Sequence, residues 1–108
     1  MSTAFVTQLR ATRPPIILAP AGPGTITLRV EIAEIWETVR VVADADTTVA
    51  DVKQRVVTDF FPTHGFLDEF VLKLRGWEML DEQLSLARAG VLDGSILLLA
   101  YRRRRPVR

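Results

Sequence analysis

Two alternating runs separated by a short turn fix most of what this chain can become. Ile26, Leu28, Val30 and Ile32 alternate with Thr27, Arg29 and Glu31; after a turn over residues 33–37, Val39, Val41 and Ala43 alternate with Thr38 and Arg40. A period of two turns one set of side chains toward a core and the other toward water. The short separation predicts an antiparallel hairpin. A chain of 108 residues, 48% of them hydrophobic, buries one core and hardly two, so a single small domain is expected around that hairpin.

Residues 44–48 form a polar break. Thr48 then stands three residues ahead of Asp51, a capping-box pattern in which hydroxyl and carboxylate satisfy free amide donors. A helix is predicted from there, with Val49, Val52, Val56 and Phe60 as its apolar stripe and Asp51, Lys53, Gln54 and Arg55 facing water. It stops before Pro62, because a residue preceding proline is pushed out of the α region. Phe70 to Arg75 resumes alternation with Leu72 and Leu74 inward and Lys73 outward, and Gly76 turns the chain. Leu80 marks a short edge strand, and residues 81–86 form an irregular segment that places Leu84 and Leu86 under the core. The final strand, Ser95 to Tyr101, follows an Asp93-Gly94 turn. This order defines an α+β domain, one helix packed across one mixed sheet of four to five strands.

Carried by these residues, the order resembles ubiquitin and its β-grasp relatives over residues 26–105. Val39, Val41 and Ala43 stand where the family's second strand turns inward. Thr48-Val49-Ala50-Asp51-Val52-Lys53 resembles the family's Thr-Ile-x-x-Val-Lys helix start, and Leu72-Lys73-Leu74-Arg75-Gly76 resembles its third strand and glycine turn. Leu80-Asp81-Glu82, Leu86, Gly90-Val91 and Asp93-Gly94-Ser95 resemble the segment that leads into its last strand. No single piece is specific; their order and spacing together are. The resemblance implies a first strand paired with the last in the centre of the sheet.

Departures from ubiquitin bear on function. Lys73 occupies the place of the outward isoleucine at the centre of ubiquitin's recognition patch, so the usual ubiquitin-binding domains should fit poorly: covering an ammonium without a partner costs several kcal/mol. Ile96 and Leu98, outward on the last strand, either form a different apolar patch, are covered by the N-terminal segment, or are scattered surface residues. Of the two lysines, only Lys53 matches a ubiquitin lysine. Where ubiquitin ends in diglycine, this chain has Arg102, Arg103, Arg104, Arg105 and Pro106. Activating enzymes thread a glycine tail through a narrow channel. Conjugation would therefore need an unusual acidic channel, or trimming back to Ala100 or Tyr101.

Charge divides the chain. Residues 26–101 hold all 13 acids and have a net charge of −6, while the two ends together carry +7. Residues 1–25 contain Pro14, Pro15, Pro20 and Pro23 and read as a flexible arm, with an Ile16-Ile17-Leu18 patch that docks on a partner or on the domain itself. Residues 102–108 form an Arg-rich tail. The absence of cysteine removes thiol chemistry and fits a reducing compartment. No apolar stretch approaches the ~20 residues of a membrane span, so a cytoplasmic location is expected.

Catalytic chemistry finds little support. His64 lies in a Pro-Thr-His-Gly loop without nucleophile or further ligands. Asp44 and Asp46 read as helix-approach acids rather than a catalytic or cation-binding pair. No phosphate-binding glycine loop is present. We therefore expect no enzyme, no metal, no cofactor and no small-molecule substrate. Trp36 and Trp77 stand near turns; packing on the core's edge is expected, with Trp77 the more exposed of the two. The functional expectation is a non-catalytic ubiquitin-like protein acting through protein contacts at Arg102, Arg103, Arg104, Arg105, Lys73, Trp77, Ile96 and Leu98. Stand-alone prokaryotic β-grasp proteins of the YukD/EsaB type supply the nearest analogy. Two alternatives stay open. One is a bacterial ubiquitin-like modifier ending at Ala100 or Tyr101, with a peptidase and an activating enzyme as partners. The other is electrostatic binding of nucleic acid or anionic membrane through the Arg tail.

Overall fold

A computed structural model of the protein describes residues 14–20, 22–63 and 67–102; His64 and Arg103 to Arg105 lie outside the described residues. In chain order the elements are β1 (Ile16–Ile17), β2 (Thr25–Ile32), β3 (Glu37–Asp44), α1 (Val49–Phe60), a 3-10 turn (Leu67–Glu69), β4 (Phe70–Leu74), β5 (Trp77–Glu78) and β6 (Ile96–Tyr101). β2 and β3 form the antiparallel hairpin, in register from Thr25 opposite Asp44 to Ile32 opposite Glu37. β6 runs parallel to β2 in the middle of the sheet, Arg29 opposite Ile96 and Ile32 opposite Leu99. β4 lies antiparallel to β6, and β5 antiparallel to β4.

The sheet order is β1-β3-β2-β6-β4-β5, six strands where four to five were expected. The additional strand comes from the proline-rich N-terminal segment. Ile16 is buried, Leu18 is half-buried against the core, and the Ile16-Ile17-Leu18 patch thus docks on the domain itself. Among the described residues, no helix is long and apolar enough to cross a membrane.

The alternation of the hairpin sorts its residues as its period requires. Leu28, Val30, Ile32, Val39, Val41 and Ala43 are buried beneath α1 together with Leu72, Leu97 and Leu99. The helix begins at a reciprocal cap. Thr48 Oγ1 accepts from the Asp51 amide at 3.1 Å, and Asp51 Oδ2 accepts from the Thr48 amide at 3.3 Å. Two further amides of its first turn, Val49 and Ala50, donate to the carbonyls of Leu84 and Glu82. The irregular segment therefore holds the helix start as well as the core above Leu86. The last turn closes with the Phe61 amide on Val57 O, immediately before Pro62.

One helical position departs from the sequence expectation. Lys53, expected to face water, is only 5% exposed. Its ammonium donates to Glu82 Oε2 at 2.7 Å and to the Phe70 carbonyl at 3.1 Å. A lysine enters the core side of a helix only with such partners, since an unpaired buried ammonium is prohibitively costly. Val57 completes the buried stripe, and Phe60 reaches only its margin.

The tryptophans also differ from expectation. Neither packs on the core, and Trp36, not Trp77, is the more exposed of the two, at 93% against 79%. Trp36 sits at the tip of the β2–β3 hairpin with φ 56°, a left-handed backbone that is unfavourable for a bulky residue. Trp77 opens β5, the two-residue edge of the sheet, with only β4 beside it. Leu80, expected in a short edge strand, lies past the end of β5 and is exposed. The β4–β5 turn uses Arg75 and Gly76, both with positive φ, as a two-residue hairpin loop demands.

Candidate interaction surface

The face of the sheet away from α1 is built by the outward half of each alternating strand. One row across it reads Arg40, Arg29, Ile96. The next reads Thr38, Glu31, Leu98, Lys73, Glu78. Ile96 and Leu98 point outward because Leu97 and Leu99 between them are fully buried, and the pleat allows no other arrangement. Lys73 stands beside Leu98 in register, half-buried. The structure thus brings Lys73, Ile96 and Leu98 together. With Arg75, Gly76 and Ser95 they line an open depression of about 450 Å³.

Arg29 and Arg40 face each other directly across the hairpin, both exposed. Like charges directly opposite are destabilising, and among the described residues neither guanidinium makes an ion pair. The face therefore surrounds an apolar centre with Arg29, Arg40 and Lys73, none of them in an ion pair among the described residues, and with two acids, Glu31 and Glu78, of which Glu78 pairs with Arg102. Sequence reasoning passed over this arginine pair, although both were placed outward. The hairpin register, set by the turn length, is the signal that locates them opposite one another.

Arg102 is the one tail arginine among the described residues. It is drawn back against the sheet: its amide donates to Glu69 O, Nε to Asp68 O at 3.3 Å, and Nη1 to Glu78 Oε2 at 2.9 Å. Ala100 and Tyr101 lie inside the ladder, opposite Val71 and Phe70. The Tyr101 ring stacks on Phe70 at 4.7 Å between centroids, and its amide donates to Glu34 Oε2 at 3.1 Å. Trp77 does not join the Lys73 patch. It lines a separate groove of about 360 Å³ with Leu80, Leu84 and Arg88 at the β5 edge.

Of the acids Asp44 and Asp46, the first is tied into the turn by its carboxylate. Asp44 Oδ1 accepts from the amides of Asp46 and Thr47 and from the Thr47 hydroxyl, fastening the turn that leads into α1.

A central parallel pair, a single helix across the mixed sheet and the loop that caps that helix define a ubiquitin-like β-grasp domain. Solved structures agree on that fold. Ubiquitin of Caldiarchaeum subterraneum superposes with a TM-score of 0.62 at 20% identity, over 77% of this chain and all of that one. The ubiquitin-like domain of an Arabidopsis thaliana protein gives 0.61 at 16% identity, over 84% of this chain and 92% of that one. A designed protein based on ubiquitin gives 0.61 at 20%, over 81% and 100%. No protein-family model matches the sequence, and no curated protein matches it.

Proposed function

We propose that this is a non-catalytic ubiquitin-like protein that works by holding another protein on the outer face of its sheet, and that the segment it holds is acidic with apolar side chains. The observation that carries this reading is the row Arg40, Arg29, Ile96 beside the pair Leu98, Lys73. An apolar centre contributes burial on contact. The opposed arginines, which repel one another in the free protein, become favourable when a carboxylate comes between them. Lys73 excludes partners that require an apolar residue at that point and accepts those that bring an acid.

The position of Ala100 and Tyr101 supports a binding module over a trimmed modifier. A chain ending at either residue would have its carboxylate within the β4–β6 ladder, and one ending at Tyr101 would also be held by the Phe70 stack and the Glu34 hydrogen bond. It would have no free residues with which to reach an enzyme. Intact mass of the protein recovered from its native host separates the two: full length is expected, and loss of the residues after Tyr101 would support the modifier.

The surface itself is tested by selecting displayed peptides on the wild-type protein and measuring them on variants. Enrichment of peptides with acidic and apolar residues is expected, with binding weakened about tenfold or more by Lys73→Glu or Ile96→Asp. Selected peptides that bind both variants as well as wild type would refute the assignment.

A further inference from the structure

The outer edge of β5 carries groups that the fold itself does not use. β5 pairs with β4 alone, Lys73 opposite Glu78 and Leu74 opposite Trp77, and no strand lies on its other side among the described residues. One pair further along, the Met79 amide donates to Leu72 O at 2.9 Å. Hydrogen-bonded and non-hydrogen-bonded pairs alternate in an antiparallel ladder, so the backbone of Trp77 also turns toward β4 and that of Glu78 turns outward. Side chains alternate as well. Glu78, opposite Lys73, belongs to the outer face, whereas Trp77, opposite Leu74, belongs to the helix side of the sheet. There it borders the groove of about 360 Å³, whose apolar lining includes Leu74, Met79, Leu84 and Ala89.

A projecting indole and an open apolar groove side by side are the two halves of a self-complementary contact. Leu80, as exposed as Trp77, adds to it. The rim decides the occupant. Arg75 and Arg88 stand there with Glu78 and Asp81, two positive groups and two negative. Arg75, Arg88 and Asp81 are exposed, and none of the three is in an ion pair among the described residues. A strongly charged partner of either sign meets as much repulsion as attraction on such a rim. A second copy related by a two-fold axis answers a charge with its opposite. The net charge of the chain, +1, opposes the approach of two copies only slightly.

We infer that β5 is the contact of a two-fold dimer of this chain, in which the two edge strands pair antiparallel about Glu78 and each Trp77 enters the groove of the other copy. With the axis there, each Glu78 amide donates to the Glu78 carbonyl of the second copy. Trp77 then stands opposite the second copy's Met79, and Arg75 comes to its Asp81. The two Glu78 carboxylates approach one another on the outer face, but each is held by Arg102 Nη1 of its own chain at 2.9 Å. Trp77 contributes about 150–200 Å² per copy, and the whole contact is on the order of 1,000 Å², the low end for a specific interface. The dimer is therefore weak and depends on concentration. It joins two sheets into one with both outer faces on the same side, and it does not depend on what those faces bind.

Analytical ultracentrifugation of the full chain from about 5 to about 500 µM is the test: wild type is expected to pass from monomer to dimer with a dissociation constant of about 10–100 µM. Trp77→Glu, at a position too exposed to carry the fold, is expected to weaken the dimer about tenfold or more. Arg75→Asp and Asp81→Arg each bring like charges together and are expected to weaken it about fivefold. The double variant Arg75→Asp/Asp81→Arg restores opposite charges and is expected to recover to within about threefold of wild type. A fluorescence measurement leaves the interface intact: in Trp36→Gly, Trp77 is the one remaining tryptophan, and its emission is expected to shift to shorter wavelength as concentration rises. A chain that stays monomeric throughout leaves the groove to a different protein and overturns the inference. So does a dimer that Trp77→Glu leaves unchanged, a Trp77 emission that does not move as the dimer forms, or a double variant no better than its single parents.

Discussion

Removing the Glu82 side chain isolates the one charge that is buried among the described residues. Lys53 Nζ has two partners, the Glu82 carboxylate at 2.7 Å and the Phe70 carbonyl at 3.1 Å, and its side chain is 6% exposed. In Glu82→Ala the ammonium keeps the carbonyl and loses its counter-charge. Breaking a fully buried pair from one side costs about 3–5 kcal/mol. The Glu82 side chain is 23% exposed, so water reaches the vacated space and about 2–3 kcal/mol is the expected loss. For a domain of this size that lowers the melting temperature by roughly 10–20 °C. The Glu82 carbonyl, which accepts from the Ala50 amide, is untouched, so the loss reports on the ion pair and not on the helix start. Lys53→Met removes the charge itself and fills similar space; it should cost less, about 1 kcal/mol. Urea unfolding of the two variants and of the double variant gives the coupling directly. If Lys53→Met is as damaging as Glu82→Ala, the cost lies in packing and the argument from the stranded ammonium is wrong.

Three further substitutions test other parts of the fold. Thr48→Ala removes the hydroxyl that accepts from Asp51 and should cost about 1 kcal/mol, read from the urea midpoint; no change would mean that the cap is redundant with the Leu84 and Glu82 carbonyls. Trp36→Gly should raise stability by about 0.5–1 kcal/mol, because glycine adopts the left-handed backbone freely and the ring it replaces touches little; a lower midpoint would reveal contacts that its exposure hides. Phe70→Ala should cost about 3–5 kcal/mol, since Phe70 is fully buried and its ring meets Phe61 at 5.0 Å and Tyr101 at 4.7 Å; calorimetry showing a loss under about 1.5 kcal/mol would contradict its place at the centre of that end of the core.

What the sequence revealed and what it hid follow from how local each cause is. The β2–β3 hairpin, the capped helix and the outward Ile96 and Leu98 were legible because period, cap and pleat operate within a few residues. Lys53 was not. It lies four residues after Val49 and three before Val56, on the core side by helical geometry, but its charge argued for water. The carboxylate that reverses that argument comes from an irregular loop 29 residues onward. Trp36 and Trp77 were misjudged for the opposite reason: their apolar bulk argued for packing, whereas a hairpin tip and a two-residue edge strand offer no neighbours to pack against. β1 was obscured by its own prolines, which argue for an arm and conceal the residues that dock.

Charge on the folded body is segregated in a way that its net value conceals. Asp51 and Asp59 lie on the helix, Asp44, Asp46, Asp81 and Asp93 in the turns and loops, whereas on the far face of the sheet Arg29, Arg40 and Lys73 outnumber Glu31 and Glu78, the latter already paired with Arg102. A body with a surplus of acids thus presents a basic face in one direction, and an acidic partner meets repulsion from most approaches and attraction from one. Such a field orients encounter more than it deepens affinity, and at 0.1 M salt it is screened within about 10 Å. For an acidic peptide selected on this surface, the association rate should therefore fall steeply between about 0.02 and 0.3 M salt while dissociation changes little. Replacing both Arg29 and Arg40 by serine should flatten that dependence and, by relieving the repulsion across the hairpin, raise stability by a few tenths of a kcal/mol. A salt dependence that survives the double substitution would assign the steering to the Arg-rich tail and not to the sheet face.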